Sequence, residues 1–311
     1  NYLDSKSDLF AVFMERCRQM AVNNGFQAMI TQHSWMFLSS FEKLRTKLLT
    51  VDIVNMAHLG ARAFEEIGGE VVQTTSFVMR KSHVADYKGE YCRLIEPTTQ
   101  QGKKGMFLSG ENRYMANQTN FSKIPGAPVA YWATEAIRNA FQANSLYTRS
   151  ASPSQNVTGN NAKFVRKHWE LCSNKVGRRD SWIFYCKGGG YRKWWGNLEE
   201  VVNWTPQARA IYQHGDGVHA SQIINPVYWY KRGITWGLIT SNTPSFRIMP
   251  DEATYDKGGS TIIVDDDIFY FVLGLLNSRV YLSIVLLLNP TMNFQVKDVR
   301  SIPIMLKETN R

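Results

Sequence analysis

Hydrophobic positions along the first eighty residues switch between two periods. Leu9, Phe13, Cys17 and Met20 recur at helical spacing, with Ser7 or Asp8 placed to cap the start and Asn24-Gly25 to stop it. A helix with these four side chains on one face is expected. Phe26 to Thr31 is a short apolar run that ends in a polar loop, Gln32 to Ser40. Ser39 and Glu42 have capping-box spacing ahead of a second helix over 41–49. Residues 51–57 and 70–81, the latter rich in β-branched side chains, read as strands. Helix, strand, helix, strand, strand is the pattern of the second half of an α/β sheet.

Beyond Ser82 the pattern weakens. Short polar, turn-rich pieces such as 100–105 and 109–112 predict a connecting arm over 82–123 with a hairpin or two. Ile124-Pro125-Gly126-Ala127-Pro128 punctuates the entry to a new unit, 124–311, in which 227–239 and 260–264 read as strands. Residues 268–288 are nearly all apolar, but Asn277, Ser278 and Arg279 interrupt their middle. A lone hydrocarbon-spanning helix tolerates that poorly. Two buried helices meeting at Asn277-Ser278 and closed by Asn289-Pro290 are expected instead, and no membrane association.

Composition leaves this picture intact: 311 residues, 44% hydrophobic and 20% charged, suit a globular chain with ample core. Charge adds to it, because a formal net charge of +10 favours an anionic partner such as nucleic acid. Cys17, Cys92, Cys172 and Cys186 lack C-x-x-C spacing and read as free thiols in a reducing compartment. No signal peptide is visible, so the cytoplasm is expected. The helical pattern begins within a few residues of Asn1, which is not a methionine, as in the later part of a longer protein.

The histidines show no metal-ligand spacing. Asp265, Asp266 and Asp267 precede an apolar helix, where acids favour the positive helix end. Residues 160–193 are different. They carry nine Lys/Arg against two acids, threaded with Phe164, Trp169, Trp182, Phe184, Tyr185 and Tyr191. The run ends in Lys187 and three glycines, whose backbone can approach a ligand closely, followed by Tyr191, Arg192, Lys193, Trp194 and Trp195. Cations neutralise phosphates and rings stack on bases. Lys163, Arg166, Lys167, Arg178 and Arg179 are candidate phosphate contacts. Asn160 and Asn161 form a turn that could present amides to an adenine edge. The competing reading is an aromatic hairpin whose tryptophans fill a core, beside a solvated basic face and a turn that merely requires Asn and Gly.

Three blocks resemble the C-terminal part of the N6-adenine DNA methyltransferases of the BREX-type phage-exclusion and type IIG restriction–modification kind. The first runs from Asp8-Leu9-Phe10 through the 28–31 strand and the Ser34-Trp35 loop to Lys43-Leu44-Arg45. The second is Leu59 to Phe64 with the strand that follows. The third is Gly274 to Ser278 with Val299 to Ile304. The resemblance implies an α/β fold, with the C-terminal half of a Rossmann-like methyltransferase sheet over 1–81. A mixed α/β target-recognition domain over 124–311 follows. It implies a pocket for an adenine flipped out of the duplex, with Phe64 as the stacking ring beside Ser34 and Trp35, against the competing readings of a buried sheet-edge Phe64 and a Trp35 packed under the following helix. It also places Arg192 and Lys193 against double-stranded DNA, with one or both tryptophans holding their strand to the core.

The family's Gly-rich methyl-donor loop and its Asn-Pro-Pro-Tyr motif are not in this sequence. Asn225-Pro226-Val227-Tyr228 and Asn289-Pro290-Thr291 lack the second proline. S-adenosylmethionine is therefore expected in the intact enzyme, with its site mostly outside this chain and no cofactor on this chain alone. The partners expected are DNA, the N-terminal catalytic half and other defence-system subunits. The alternative is a non-catalytic DNA specificity module similar to a type I restriction specificity subunit.

Overall fold

The computed structural model describes residues 2–67, 72–215, 217–239, 243–289 and 293–306, in two compact units, 1–142 and 143–311. The first is built on a five-stranded sheet. Helix α1 (Leu9–Met20) is capped by Asp8, whose carboxylate accepts from the Phe10 amide. Strand β1 (Phe26–Gln32) follows, then a 3-10 turn (His33–Met36), α2 (Glu42–Leu48), β2 (Asp52–Gly60), β3 (Thr74–Arg80), β4 (Lys88–Arg93), α3 (Gln100–Ser109), β5 (Arg113–Asn117) and α4 (Glu135–Ala140). Glu70 and Val71, at the start of the expected third strand, lie outside the described residues. The strand order is β1-β3-β2-β4-β5. Trp35, Leu44, Ile53, Met56, Phe77, Tyr91 and Phe121 are fully buried among its core residues. Arg45 is buried with them, donating to the carbonyls of Trp35 (2.9 Å), Leu38 (2.6 Å) and Gly126 (2.7 Å). Three oxygens and the nearby Glu42 offset the desolvation of its guanidinium.

Several expectations change here. The α1 face carrying Leu9, Phe13 and Met20 is exposed, and the helix instead buries Ala11 and Met14. The Ser39/Glu42 capping box does not form, because a 3-10 turn (Ser39–Phe41) leads directly into α2. Residues 82–123 are part of the sheet unit rather than an arm: β4 pairs parallel with β2, and β5 antiparallel with β4. The polar stretch expected as turns is α3, capped by Thr99 and stopped by Gly110 at φ +77°. Compactness extends through the Ile124–Pro128 punctuation, since Val129 and Tyr131 are buried in the same core.

The second unit contains β6 (Ser150–Ala151), α5 (Asn161–Phe164), β7 (Val165–Lys167), β8 (Trp182–Cys186), β9 (Glu200–Asn203) and α6 (Pro206–His214). These are followed by β10 (Gly233–Thr235), β11 (Arg247–Met249), β12 (Ala253–Tyr255), β13 (Thr261–Val264), α7 (Phe269–Leu276), α8 (Arg279–Leu288) and α9 (Val296–Arg300). Two four-stranded sheets result, β11-β10-β13-β6 and β12-β8-β9-β7. The expected strand over 227–239 is only β10, preceded by a 3-10 turn (Pro226–Tyr228). Asn225 initiates that turn, its side chain accepting from the Val227 amide. Helices α7 and α8 break at Asn277-Ser278 with an 81° bend, and among the described residues no single helix is long and apolar enough to cross a membrane. Ser278 caps α8, and Asn277 exchanges hydrogen bonds with the Phe246 backbone. Asp266 and Asp267 stand in the first turn of the 3-10 segment (Asp266–Ile268) that leads into α7, where acids are expected, and Asp265 and Asp267 also pair with Arg149 and Asp266 with Arg232.

Candidate functional site

In the first unit, β3 is antiparallel to both β1 and β2, and β4 is parallel to β2. The carboxyl ends of β1, β2 and β4 therefore share one edge, the side on which open α/β sheets receive ligands. After β2, Gly60 (φ +66°) and Arg62 (φ +57°) turn the chain sharply. A Cβ at Gly60 would lie 2.9 Å from the Ile95 side chain, so both the dihedral and the space call for glycine. The turn presents Phe64 at 41% exposure. Lys103 of α3 fixes its base, donating to the carbonyls of Leu59 (2.6 Å) and Leu94 (2.7 Å). Burial lowers the pKa of this ammonium. A cavity of about 330 Å³ opens at the same place, lined by Ala57, Leu59, Ala63, Leu94, Lys104 and Phe107 among others.

Beside the β1 end, His33 Nδ1 lies 2.8 Å from His58 Nε2, and His58 Nδ1 lies 3.2 Å from the Tyr131 hydroxyl. Burial pushes His33 down to about 4 and His58 well below its ordinary value, so both rings are neutral at pH 7. Ser34 is half-buried. Trp35 has no exposed surface: its Nε1 donates to Thr31 Oγ1 at 3.1 Å and its ring meets Phe77 edge-on. It is a core residue and offers no face to a base. Of the expected pocket residues, Phe64 is open and Ser34 half-open. Lys103 and the histidine pair were not foreseen, because each acts through a partner 25 or more residues away in sequence.

In the second unit, the segment from Lys187 to Asn197 is an exposed aromatic loop. Tyr191, Trp194 and Trp195 are 60%, 51% and 58% exposed, so neither tryptophan holds the strand to the core. Gly188 and Gly189 take positive φ, and a Cβ on Gly188 would meet the Gly258 carbonyl at 2.6 Å. Trp194 itself sits at φ +75°, a left-handed conformation that costs a non-glycine residue roughly 1–2 kcal/mol. The loop is pinned all along its length. The Trp194 amide donates to the Phe246 carbonyl (2.9 Å), and its own carbonyl accepts from Ile248 (3.0 Å). Arg192 N donates to Ser245 Oγ (3.2 Å), and Asn197 Nδ2 spans the carbonyls of Gly188 (2.9 Å) and Gly190 (2.8 Å).

The cations expected at DNA divide into two groups. Lys193 donates to the Asn277 carbonyl at 2.9 Å, and Arg166 to those of Ala162 and Val165. Lys167 pairs with Glu199 and Glu200, and Lys187 with Glu200. These four are tied down. Lys167 and Lys187 do line a common cavity of about 310 Å³ with Gly188–Gly190, and Glu199 and Glu200 on its wall give it both charge signs. Arg192, Lys163, Arg178 and Arg179 are exposed and make no ion pair among the described residues. Asn160 caps α5 by accepting from the Lys163 amide, and Asn161 accepts from Thr158 Oγ1. Their side chains serve the turn.

The Gly188–Gly190 run is succeeded by a loop and β9, not by a helix, so it does not form the strand–loop–helix cradle that holds a phosphate or a nucleotide cofactor. Asn225 is engaged in its own turn, Asn289 donates to Asp298 and Asn293, and Pro290 and Thr291 lie outside the described residues. Among the described residues no group of three or more His, Cys, Asp or Glu could hold a metal ion.

Residues 1–64 match the Eco57I restriction-modification methylase family. The type IIL restriction-modification enzyme MmeI, solved in complex with DNA, shares the fold with a TM-score of 0.58 at 11% identity, over 97% of this chain and 42% of that one. Over 97% of its length the chain is similar to two adenine-specific methyltransferases. They are PglX of Lacticaseibacillus casei (strain Zhang), 41% identical, and BrxX of Escherichia coli O9:H4 (strain HS), 36% identical. It spans about a quarter of their length, 27% and 25% respectively. The resemblance read from the three sequence blocks and the α/β fold class both stand.

Proposed function

We propose that this chain is the DNA-recognition portion of an adenine-specific DNA methyltransferase from a phage-defence system. In the intact protein, S-adenosylmethionine and the catalytic loop are supplied by residues outside these 311, and the carboxyl edge of the first unit completes the pocket for the flipped adenine around Phe64. The second unit engages duplex DNA through its exposed cations and the 187–197 loop. The observation that carries this reading is similarity to the two methyltransferases along nearly the whole chain. The exposed Arg192 and aromatic loop, in a chain of net charge +10, support its DNA-binding half.

Strand β1 is an edge of its sheet, with Phe26 and Ile30 exposed on the face opposite the Gln27 and Met29 side that packs toward α1. That apolar edge is where the remaining, catalytic part of the sheet docks. The test is a pair of titrations on the 311-residue chain. Duplex DNA binding should fall steeply with salt as counterions are released. S-adenosylmethionine should give no appreciable heat in calorimetry; tight binding would place the donor site within this chain.

A further inference from the structure

We infer that Trp194 is a preset stacking wedge, which binds the face of a nucleobase exposed at a distorted or unpaired step of the duplex. The inference rests on the DNA-binding reading of the second unit and assigns one residue a role that charge does not explain. An indole that is half exposed usually has its backbone in an ordinary conformation and some ring packed against a neighbour. Trp194 departs from the first of these: its φ is +75°, and among the described residues no aromatic ring or cation stacks on its half-exposed indole. Such a conformation persists only where the surroundings over-determine it.

Here they do so from the backbone. The amide and carbonyl of Trp194 are both bonded to the strand segment of Phe246 and Ile248, around Arg247, which is itself buried and donates to the Gly188 carbonyl. The flanking residues are fixed at Ser245 and Asn277, through Arg192 and Lys193. The ring is therefore presented to solvent on a rigid mount, and ordering it on binding costs little conformational entropy.

The occupant follows from chemistry. A flat apolar face beside Arg192, which has no ion pair among the described residues, suits a flat apolar surface carried by a polyanion, which a nucleobase in DNA is. Paired bases inside B-form stacks expose only their edges, so an aromatic face gains contact where a step is opened or a base is displaced. Lys193 contributes to the mount, since its ammonium is used on the Asn277 carbonyl.

The experiment compares the wild-type chain with Trp194→Ala, Trp194→Phe and Trp195→Ala. Each is titrated against a fully paired duplex and the same duplex carrying one abasic site, at two salt concentrations, after circular dichroism has shown equal folding. The wild type should favour the abasic duplex, and Trp194→Ala should lose that preference, by roughly 5- to 150-fold for one base–aromatic stack. Trp194→Phe should retain much of it, Trp195→Ala most of it, and none should change the salt slope. Equal preference in Trp194→Ala, or no preference in the wild type, overturns the wedge while leaving DNA binding intact. No binding to either duplex overturns both.

Discussion

His33 and His58 face one another with Nδ1 and Nε2 2.8 Å apart, both rings buried, at the edge of the sheet where Ser34 begins the loop after β1. One nitrogen donates and the other accepts, which two neutral imidazoles can do and two imidazolium ions cannot. His58 meets the Tyr131 hydroxyl on its other side, with Arg93 and Lys103 close enough to disfavour its protonation further. The folded-state values lie below the unfolded ones, so the unfolded chain binds more protons between them. Stability is then fully present above about pH 6.5 and declines as pH falls toward 4. His33 alone accounts for about 3 kcal/mol at pH 4. Denaturant melts at pH 7, 5 and 4 should show this loss, and His33→Gln should flatten it.

Arg45, itself fully buried, connects α2 to the loop at Gly126 through that residue's carbonyl. Arg45→Ala removes the donor from the buried Trp35 carbonyl and from the part-buried Gly126 carbonyl, while the Leu38 carbonyl keeps its bond from the Phe41 amide, so a loss of about 1–3 kcal/mol is expected. Arg45→Lys should recover little, because an ammonium cannot span the same fork of acceptors. Chemical denaturation measures both.

Helices α1, α2, α7 and α8 and four of the strands were the legible part of this fold. β1, β2, β3 and β13 coincide with apolar or β-branched runs, since alternate faces of a strand write themselves into the sequence at short range. Helix α3 was hidden because Gly102 and Gly105 lower its propensity, while its anchor, Lys103 on Leu59 and Leu94, is a tertiary contact. The α1 stripe was read correctly as apolar, but periodicity marks a stripe and says nothing of what covers it. At the site, the basic and aromatic character of 187–195 was plain from the residues. Which cations are free was not: Lys167 and Lys193 are spent on Glu199 and Asn277, contacts fixed only by the chain's return.

That division separates two neighbours. Arg192→Ala should weaken duplex binding across sequences or at one position, and reduce the salt slope by about one if it contacts phosphate. Lys193→Ala should act on stability instead, by about 1 kcal/mol, through the lost bond to the Asn277 carbonyl. Binding isotherms at several salt concentrations and a thermal melt of each single variant resolve the two roles. An unchanged affinity for Arg192→Ala at moderate salt would remove this loop from the DNA interface.

Two apolar surfaces of the first unit, one on α1 and one on β1, test where the catalytic region docks. Leu9 and Phe13 on α1 are 67% and 53% exposed, and Phe26 and Ile30 on the edge strand 64% and 59%. Side chains this open contribute little to the stability of the chain by itself. Phe13→Glu with Ile30→Lys should therefore change its unfolding free energy by no more than about 0.5 kcal/mol per site. Against the remaining polypeptide of the intact protein the same changes matter greatly, because charges would be carried into a dry interface. The wild-type chain should bind that polypeptide when it is supplied separately, and the double variant should not. Sedimentation velocity on the mixed components reads the difference, and equal complex formation by the variant would show that the catalytic region docks elsewhere.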